Sequence, residues 1–194
     1  MKINDYFDKV VVINLERRTD RMEILGKQLD ELGIKYERFS AVDGKALGID
    51  PIIAGTQSHV AVWKKYLGQK VLVLEDDAGF CEEFNDKFTR AMQTLPSDWD
   101  IFYLGALVAK TTGKVTPVNE QWSKQIVSSG SQAYCIKPSK IDYFISKLDG
   151  YQWYIDIGLR LEAESNNAYI AQPNLVIQFP SYSDLRLTEV NDFK

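Results

Sequence analysis

Apolar residues arrive along this chain in short runs that alternate between two spacings. "KVVVINL", residues 9–15, is an unbroken β-branched run, the pattern of a strand buried on both faces. Met22, Leu25, Leu29 and Leu32 then fall three and four apart and predict a helix, with Asp20 and Glu23 as its capping box and Gly33 as its stop. "IKYERF", 34–39, alternates as a second strand, and "AVDGKALG" reads as a loop. Val60, Trp63 and Leu67 predict a helix over about 57–67, capped by Ser58 and stopped by Gly68. "KVLVLE" is a further strand, and Phe84, Phe88, Ala91 and Leu95 mark a helix that ends at Pro96.

"WDIFYLG", 99–105, and "QAYCIKP", 132–138, read as strands. Between them, residues 110–131 are polar and broken by Gly113, Pro117 and Gly130, which suits a hairpin or a loop over a site. Pro138 opens a helix carrying Ile141, Ile145 and Leu148, and "YIDIGLRLEAES" is another. "NAYIAQPNLVIQ" holds two short strands around Pro173, and the tail is irregular. Strands and helices alternate through the first hundred residues, which predicts an α/β fold with a mostly parallel central sheet. At 194 residues, without repeats or a linker, the chain reads as a single domain over 1–194.

Composition narrows the function classes. The net charge is −4, too acidic for a general nucleic-acid binder. Cys81 and Cys135 are far apart and read as free core thiols in a reducing compartment. The start lacks a signal-peptide apolar region and no run is long enough for a membrane helix, so a cytoplasmic location is expected. The single histidine, His59, excludes a multi-histidine metal site, and no GxSxG, Walker A, GxGxxG or DxDxT motif is present.

The chemistry concentrates at two strand ends, where ligands bind in open α/β sheets. The third strand runs into Glu75, Asp76 and Asp77, and residues 71–100 hold eight acidic residues against two basic ones. Two like charges about 4 Å apart repel by roughly 4 kcal/mol at an effective dielectric of about 20. A divalent cation such as Mg²⁺ or Mn²⁺, shared with substrate phosphates, would compensate that repulsion; a solvated strand end would also tolerate it. Arg17, Arg21 and Arg18 follow the first strand, and their forks suit phosphate oxygens or ion pairs with Glu16, Asp20 and Glu23. Together the two ends would satisfy a nucleoside diphosphate.

An ordered series of stretches resembles glycosyltransferase family 25, the group of bacterial lipooligosaccharide and collagen galactosyltransferases. The matching pieces are "VVINLERRTDRME", "YERFSAVDGKAL", "GTQSHVAVW", "VLVLEDDAGF", "LPSDWDIFYLG", "SGSQAYCIKPSKI", "YIDIGLRL" and "PSYSDL", which span nearly the whole chain. The resemblance implies a GT-A (Rossmann-like) fold and a metal-dependent, inverting transfer of a hexose from a UDP-sugar to a hydroxyl of a glycan, lipooligosaccharide or protein. It places "EDD" at the DxD-type motif, with Asp77 and Glu75 as metal ligands and Asp76 assisting or contacting the ribose. It assigns Asn14, Leu15, Arg17 and Arg21 to the nucleotide and matches Ser58 and His59 to the family's Ser-His pair, although His59 also suits a core or capping role. Asp156 is the nominated general base, with a first-turn helix role as its alternative and Asp184 as a second acidic candidate. Trp122, Tyr151, Trp153 and Tyr154 are candidate sugar-stacking rings, more ordinarily core. Bacterial members often work at the inner membrane face, which leaves room for peripheral membrane contact. A catalytically silent nucleotide-sugar-binding module, a phosphoryl-transfer domain and a structural domain are the rival readings.

Overall fold

The computed structural model describes residues 2–108, 116–124, 128–179, 181–183 and 188–190. Its helices are α1 (Ile3–Tyr6), α2 (Thr19–Glu31), α3 (Gly44–Leu47), α4 (Pro51–Lys65), α5 (Phe84–Thr94), α6 (Ile141–Leu148) and α7 (Ile155–Ala163). Its strands are β1 (Lys9–Asn14), β2 (Glu37–Ser40), β3 (Val71–Glu75), β4 (Ala78–Phe80), β5 (Ile101–Val108), β6 (Thr116–Pro117), β7 (Trp122–Lys124), β8 (Ser128–Ile136), β9 (Ala168–Ala171), β10 (Val176–Gln178), β11 (Ser181–Ser183) and β12 (Thr188–Val190).

Eight strands form one sheet in the order β2-β1-β3-β8-β5-β9-β7-β6. Six of them run the same way, with β8 and β7 opposed, so the expected α/β class and mostly parallel sheet are observed. The β-branched run of β1 is buried on both faces because Val10 and Val12 face one core and Val11 and Ile13 the other. Leu25 and Leu29 of α2 and Phe84 and Phe88 of α5 fill the first core. Val60 and Trp63 of α4, Phe144 of α6 and Leu159 of α7 fill the second. Because α2 and α4 cover opposite faces, the connections diverge between β1 and β3, and a crevice opens at the carboxyl ends of those strands.

The differences from expectation are local. Helix α2 starts at Thr19 with Arg18 as its N-cap, so Asp20 lies inside the first turn and pairs with Arg18 rather than closing a capping box. Gly33 does end it, at a positive φ of 68°. The loop expected at 41–48 contains α3, capped by the Asp43 side chain. Helix α4 begins at Pro51, capped by Asp50, so Ser58 sits mid-helix and is not a cap. Proline at the first helical position and aspartate before it are a sufficient start signal, and it lay upstream of the apolar spacing used to draw the boundary. The polar segment does form a hairpin, β6–β7, on the sheet's outer edge, several strands from the crevice. Residues 109–115 and 125–127 of that segment lie outside the described residues.

Gly105 lets one distant segment reach the crevice. A Cβ there would lie 1.7 Å from the Val176 carbonyl oxygen, so only glycine permits β10 to cross so close to β5. The crossing is laced on both sides: Leu175 N–H donates to Leu104 O at 2.7 Å and Asn174 Nδ2 to Ala106 O at 3.0 Å. Strand β10 then pairs with β4, directly after the acidic turn. Cys135 is a buried free thiol of the core, whereas Cys81 is half-buried.

Candidate functional site

A cavity of about 650 Å³ occupies the crevice. Leu15, Arg17, Arg21, Ser58, His59, Glu75, Asp76, Asp77 and Asp156 all line it, drawn from the β1–α2 connection, α2, α4, β3 and the turn after it, and α7. Residues separated by up to 141 positions in the chain thus meet at one sheet edge, on elements held by the two cores. Asn14 is buried behind this wall: its Nδ2 donates to Asp76 Oδ2 at 2.7 Å and to Arg18 O at 3.0 Å.

The three consecutive acids diverge into different environments. Asp76 turns to the cationic side, where Arg21 Nη1 lies 2.5 Å from its Oδ1. Burial raises its pKa, and Arg21 and Asn14 oppose that rise. Asp77 accepts from Gln178 Nε2 at 2.9 Å through Oδ2, which also lies 3.5 Å from Arg21 Nη1. Its other oxygen, Oδ1, is buried with no hydrogen-bond partner among the described residues. Burial first, and Glu75 second, push the Asp77 carboxyl up to about 7.

Glu75 points toward α4 and β8. Its Oε1 accepts from Ser131 Oγ and lies 3.5 Å from His59 Nε2. Burial pushes its carboxyl up, but the contacts with His59 and Ser131 outweigh that, and the net shift is downward. Behind it runs a buried chain of rings. Trp63 Nε1–H can only donate, and it donates to Tyr134 Oη at 3.0 Å. The Tyr134 hydroxyl lies 2.8 Å from His59 Nδ1, so its own proton has Nδ1 as its acceptor. In the neutral ring this order puts the proton on Nε2, facing Glu75. His59 is therefore both buried in the core and part of the cavity wall, and the two readings of it are not exclusive.

Ser58 anchors the wall rather than capping a helix. Its Oγ donates to Ala54 O at 2.8 Å and accepts from Val42 N–H at 2.9 Å, tying α4 to the segment before α3. Arg17, at the rim, lies 3.4 Å from Asp43. Asp156 occupies the first turn of α7; Oδ2 accepts from Gly130 N–H at 3.0 Å and Oδ1 from Ile157 N–H at 2.8 Å. Its helix-turn role and its cavity position coexist.

The aromatic candidates separate. Trp122 is fully buried and donates to Ala91 O at 2.7 Å, so it is a core residue and not a sugar platform. Tyr151 packs against the second core. Tyr154 lines the cavity, and Trp153 beside it is 51% exposed. Asp184 lies outside the described residues.

Gln178, Ser131 and Tyr134 are the site residues that sequence reasoning missed. Gln178 ends the short strand β10 after Pro173 and carries no motif. Ser131 and Tyr134 lay within quoted stretches, but their approach to Glu75 and His59 depends on β8 entering the sheet antiparallel beside β3. No group of three or more His, Cys, Asp or Glu side chains arranged to hold a metal ion occurs among the described residues. An orphaned carboxylate oxygen of Asp77 on the cavity wall nonetheless fits a cation that takes one or two protein oxygens and completes its shell elsewhere.

Residues 7–52 match the sequence model of glycosyltransferase family 25 (LPS biosynthesis protein). A candidate glycosyltransferase of Acanthamoeba polyphaga mimivirus is 32% identical over 177 residues, covering 76% of this chain and 52% of that protein. Human procollagen galactosyltransferase 2 is 31% identical over 129 residues, 51% of this chain and 21% of that protein. The human inactive glycosyltransferase 25 family member 3 is 32% identical over 130 residues, 51% of this chain and 22% of that protein. The chain thus spans about half the length of the viral relative and about a fifth of the animal ones. A UDP-glucose pyrophosphorylase solved with UDP-glucose superposes with a TM-score of 0.47 at 10% identity, over 84% of this chain and 72% of that one. The matched residues 7–52 hold the β1 end, Arg17, Arg21 and the Asp43 side of the cavity, and the likeness to glycosyltransferase relatives runs well past that stretch: the chain is similar to glycosyltransferase family 25 over residues 7–52 and to the viral glycosyltransferase over about three quarters of its length.

Proposed function

We propose that this domain moves a hexose from a UDP-sugar to a hydroxyl of a glycan, lipooligosaccharide or protein acceptor, with inversion and with help from a divalent cation. The observation that carries the reading is the pairing, in one cavity, of a buried Asp77 carboxylate oxygen that has no partner among the described residues with the guanidinium of Arg17 at the rim. The first suits a cation and the second a diphosphate.

The chain's own residues divide the work as follows. Arg17 grips the diphosphate, and Leu15 gives the nucleotide an apolar wall. Arg21 and Asn14 hold Asp76 in place, so that Asp76 presents a fixed acidic edge toward the ribose. Asp77, with Glu75, would hold Mn²⁺ or Mg²⁺; bound there, the ion would offset charge on the departing diphosphate. Ser131 and His59 both engage Oε1 of Glu75, which leaves Oε2 for the ligand side. Ser58 fixes the α4 wall on which His59 sits. Asp156 accepts the proton of the acceptor hydroxyl as that oxygen attacks the anomeric carbon from the face opposite the leaving diphosphate.

Titrating UDP calorimetrically into the chain, with and without Mn²⁺, tests the reading on wild type and Asp77→Asn. Binding that needs the metal in wild type and loses that dependence in the variant supports it. No UDP binding under either condition would sink it. UDP-sugar binding without hydrolysis or transfer, for a panel of acceptors, would identify a silent nucleotide-sugar-binding module instead.

A further inference from the structure

We propose that Trp153 and Tyr154 form a subsite for the acceptor, an aromatic corner that takes the apolar face of a pyranose ring and presents its hydroxyls to Asp156. The inference rests on the glycosyl-transfer reading and names the chemistry of its second substrate. Three of the four tryptophans are core residues: Trp63, Trp99 and Trp122 are 4%, 9% and 0% exposed. Trp153 is 51% exposed. A large ring in water is commonly loose, but this one stands on a fixed backbone. Thr56 of α4, itself 1% exposed, donates from Oγ1 to the Trp153 carbonyl at 2.6 Å, so the segment before α7 is fastened to the helix that carries His59.

The ring geometry is that of a corner. The Trp153 and Tyr154 rings lie 5.5 Å apart at 88°. Tyr154 lines the cavity, and the exposed Trp153 ring stands edge-on against the Tyr154 ring. Asp156 lines the same cavity two residues later. Each of its oxygens accepts one backbone N–H, from Ile157 and Gly130, which fixes the carboxylate and leaves each oxygen a further lone pair for a hydroxyl. Pyranoses present axial C–H groups on one face and hydroxyls at the edge, so a flat apolar ring beside an oriented carboxylate matches both surfaces. The groups assigned to the donor come from β1 and β3, the segments that follow them and α2, whereas this corner comes from the α6–α7 connection, which leaves it available for a second substrate.

The burial of the other three tryptophans supplies the test. Acrylamide quenching of tryptophan fluorescence in this chain reports chiefly on Trp153. The probes are methyl β-galactoside, methyl β-glucoside and lactose, each against glycerol at matched viscosity, with UDP·Mn²⁺ titrated in parallel. At least one glycoside should cut the quenching constant by more than glycerol does, and calorimetry should show that glycoside's binding lost in Trp153→Ala and weakened in Tyr154→Ala. If UDP binds and none of the three glycosides protects Trp153, the aromatic subsite is wrong and the transfer reading survives. Undiminished glycoside binding by Trp153→Ala overturns the subsite equally. If glycosides protect while UDP never binds, the corner stands as a sugar site and the transfer reading falls.

Discussion

Gln178 donates from Nε2 to Asp77 Oδ2 at 2.9 Å, joining residues 101 positions apart in the chain. The bond makes β10 part of the acidic edge, because Gln178 also pairs with Ala78 through the β4–β10 ladder. Replacing Gln178 with Leu keeps that backbone pairing and removes the side-chain donor. A hydrogen bond to a charged group contributes roughly 1.5–3 kcal/mol, so UDP·Mn²⁺ affinity should drop by about tenfold or more. Calorimetry reads this directly. An unchanged affinity would reduce Gln178 to a strand-pairing residue.

Asp77 makes a stability prediction of its own in the absence of metal. Its pKa rises from 3.8 to about 7 on folding, through burial and then Glu75. The folded state therefore holds this proton more tightly than the unfolded chain does. The charged form costs nothing below pH about 4, the penalty grows as pH rises toward 7, and it is complete above that. Asn carries no such charge. Asp77→Asn should melt above wild type at pH about 8, by roughly 2–4 °C for each kcal/mol relieved, and the gap should close as pH falls toward about 4. Thermal melts across that pH series, without metal, check the sign. A gap that widens toward acid would contradict the buried, penalised carboxylate.

The ring chain behind Glu75 gives a third test. Tyr134→Phe removes one oxygen and leaves both Trp63 Nε1–H and His59 Nδ1 buried without their partner. Each orphaned group costs about 1–3 kcal/mol, so the variant should lose about 2 kcal/mol or more. Denaturant unfolding measures that loss. His59 is the one histidine in the chain, so its ring nitrogens give a single pair of ¹⁵N signals. In wild type the neutral ring should show Nε2 protonated, and in Tyr134→Phe the two tautomers should mix. Identical nitrogen shifts in both proteins would remove Tyr134 from the set of residues that position His59.

The fold was legible where side chains carry their own period. The β1 run, the α2 and α5 spacings and the Gly33 stop depend on neighbours in the chain, and all appear in the structure. The helix boundary drawn at Ser58 failed because apolar spacing marks only the buried turns of α4; its first two turns border the cavity, where Ile52 and Gly55 face open space rather than core. The cavity wall was legible at the two strand ends, since Arg17 and the acids lie close to buried runs. Gln178 and Ser131 were not legible, because their partners are set by β10 crossing β5 and by β8 running against β3. Pairings at that sequence distance leave no periodic trace. The same physics explains why Asp76 and Asp77, adjacent and chemically alike, differ in partner: both lie near Arg21, but one also faces Asn14 and the other Gln178 of β10.

Gly105 tests whether that crossing is what completes the site. The Cβ of an alanine there would sit 1.7 Å from the Val176 carbonyl oxygen, a backbone atom that no rotamer change can move. The flanking bonds from Leu175 and Asn174 hold β10 against β5, so relief requires the whole crossing to lift. Overpacking of this kind costs about 1–3 kcal/mol or more, and lifting β10 also withdraws Gln178 from Asp77. Gly105→Ala should therefore lower the urea midpoint and weaken UDP·Mn²⁺ at least as much as Gln178→Leu does, although residue 105 does not line the cavity. In the double variant the two affinity losses should fail to add, since both act through the same bond. Additive losses would show that Gln178 and the Gly105 crossing act on the site independently.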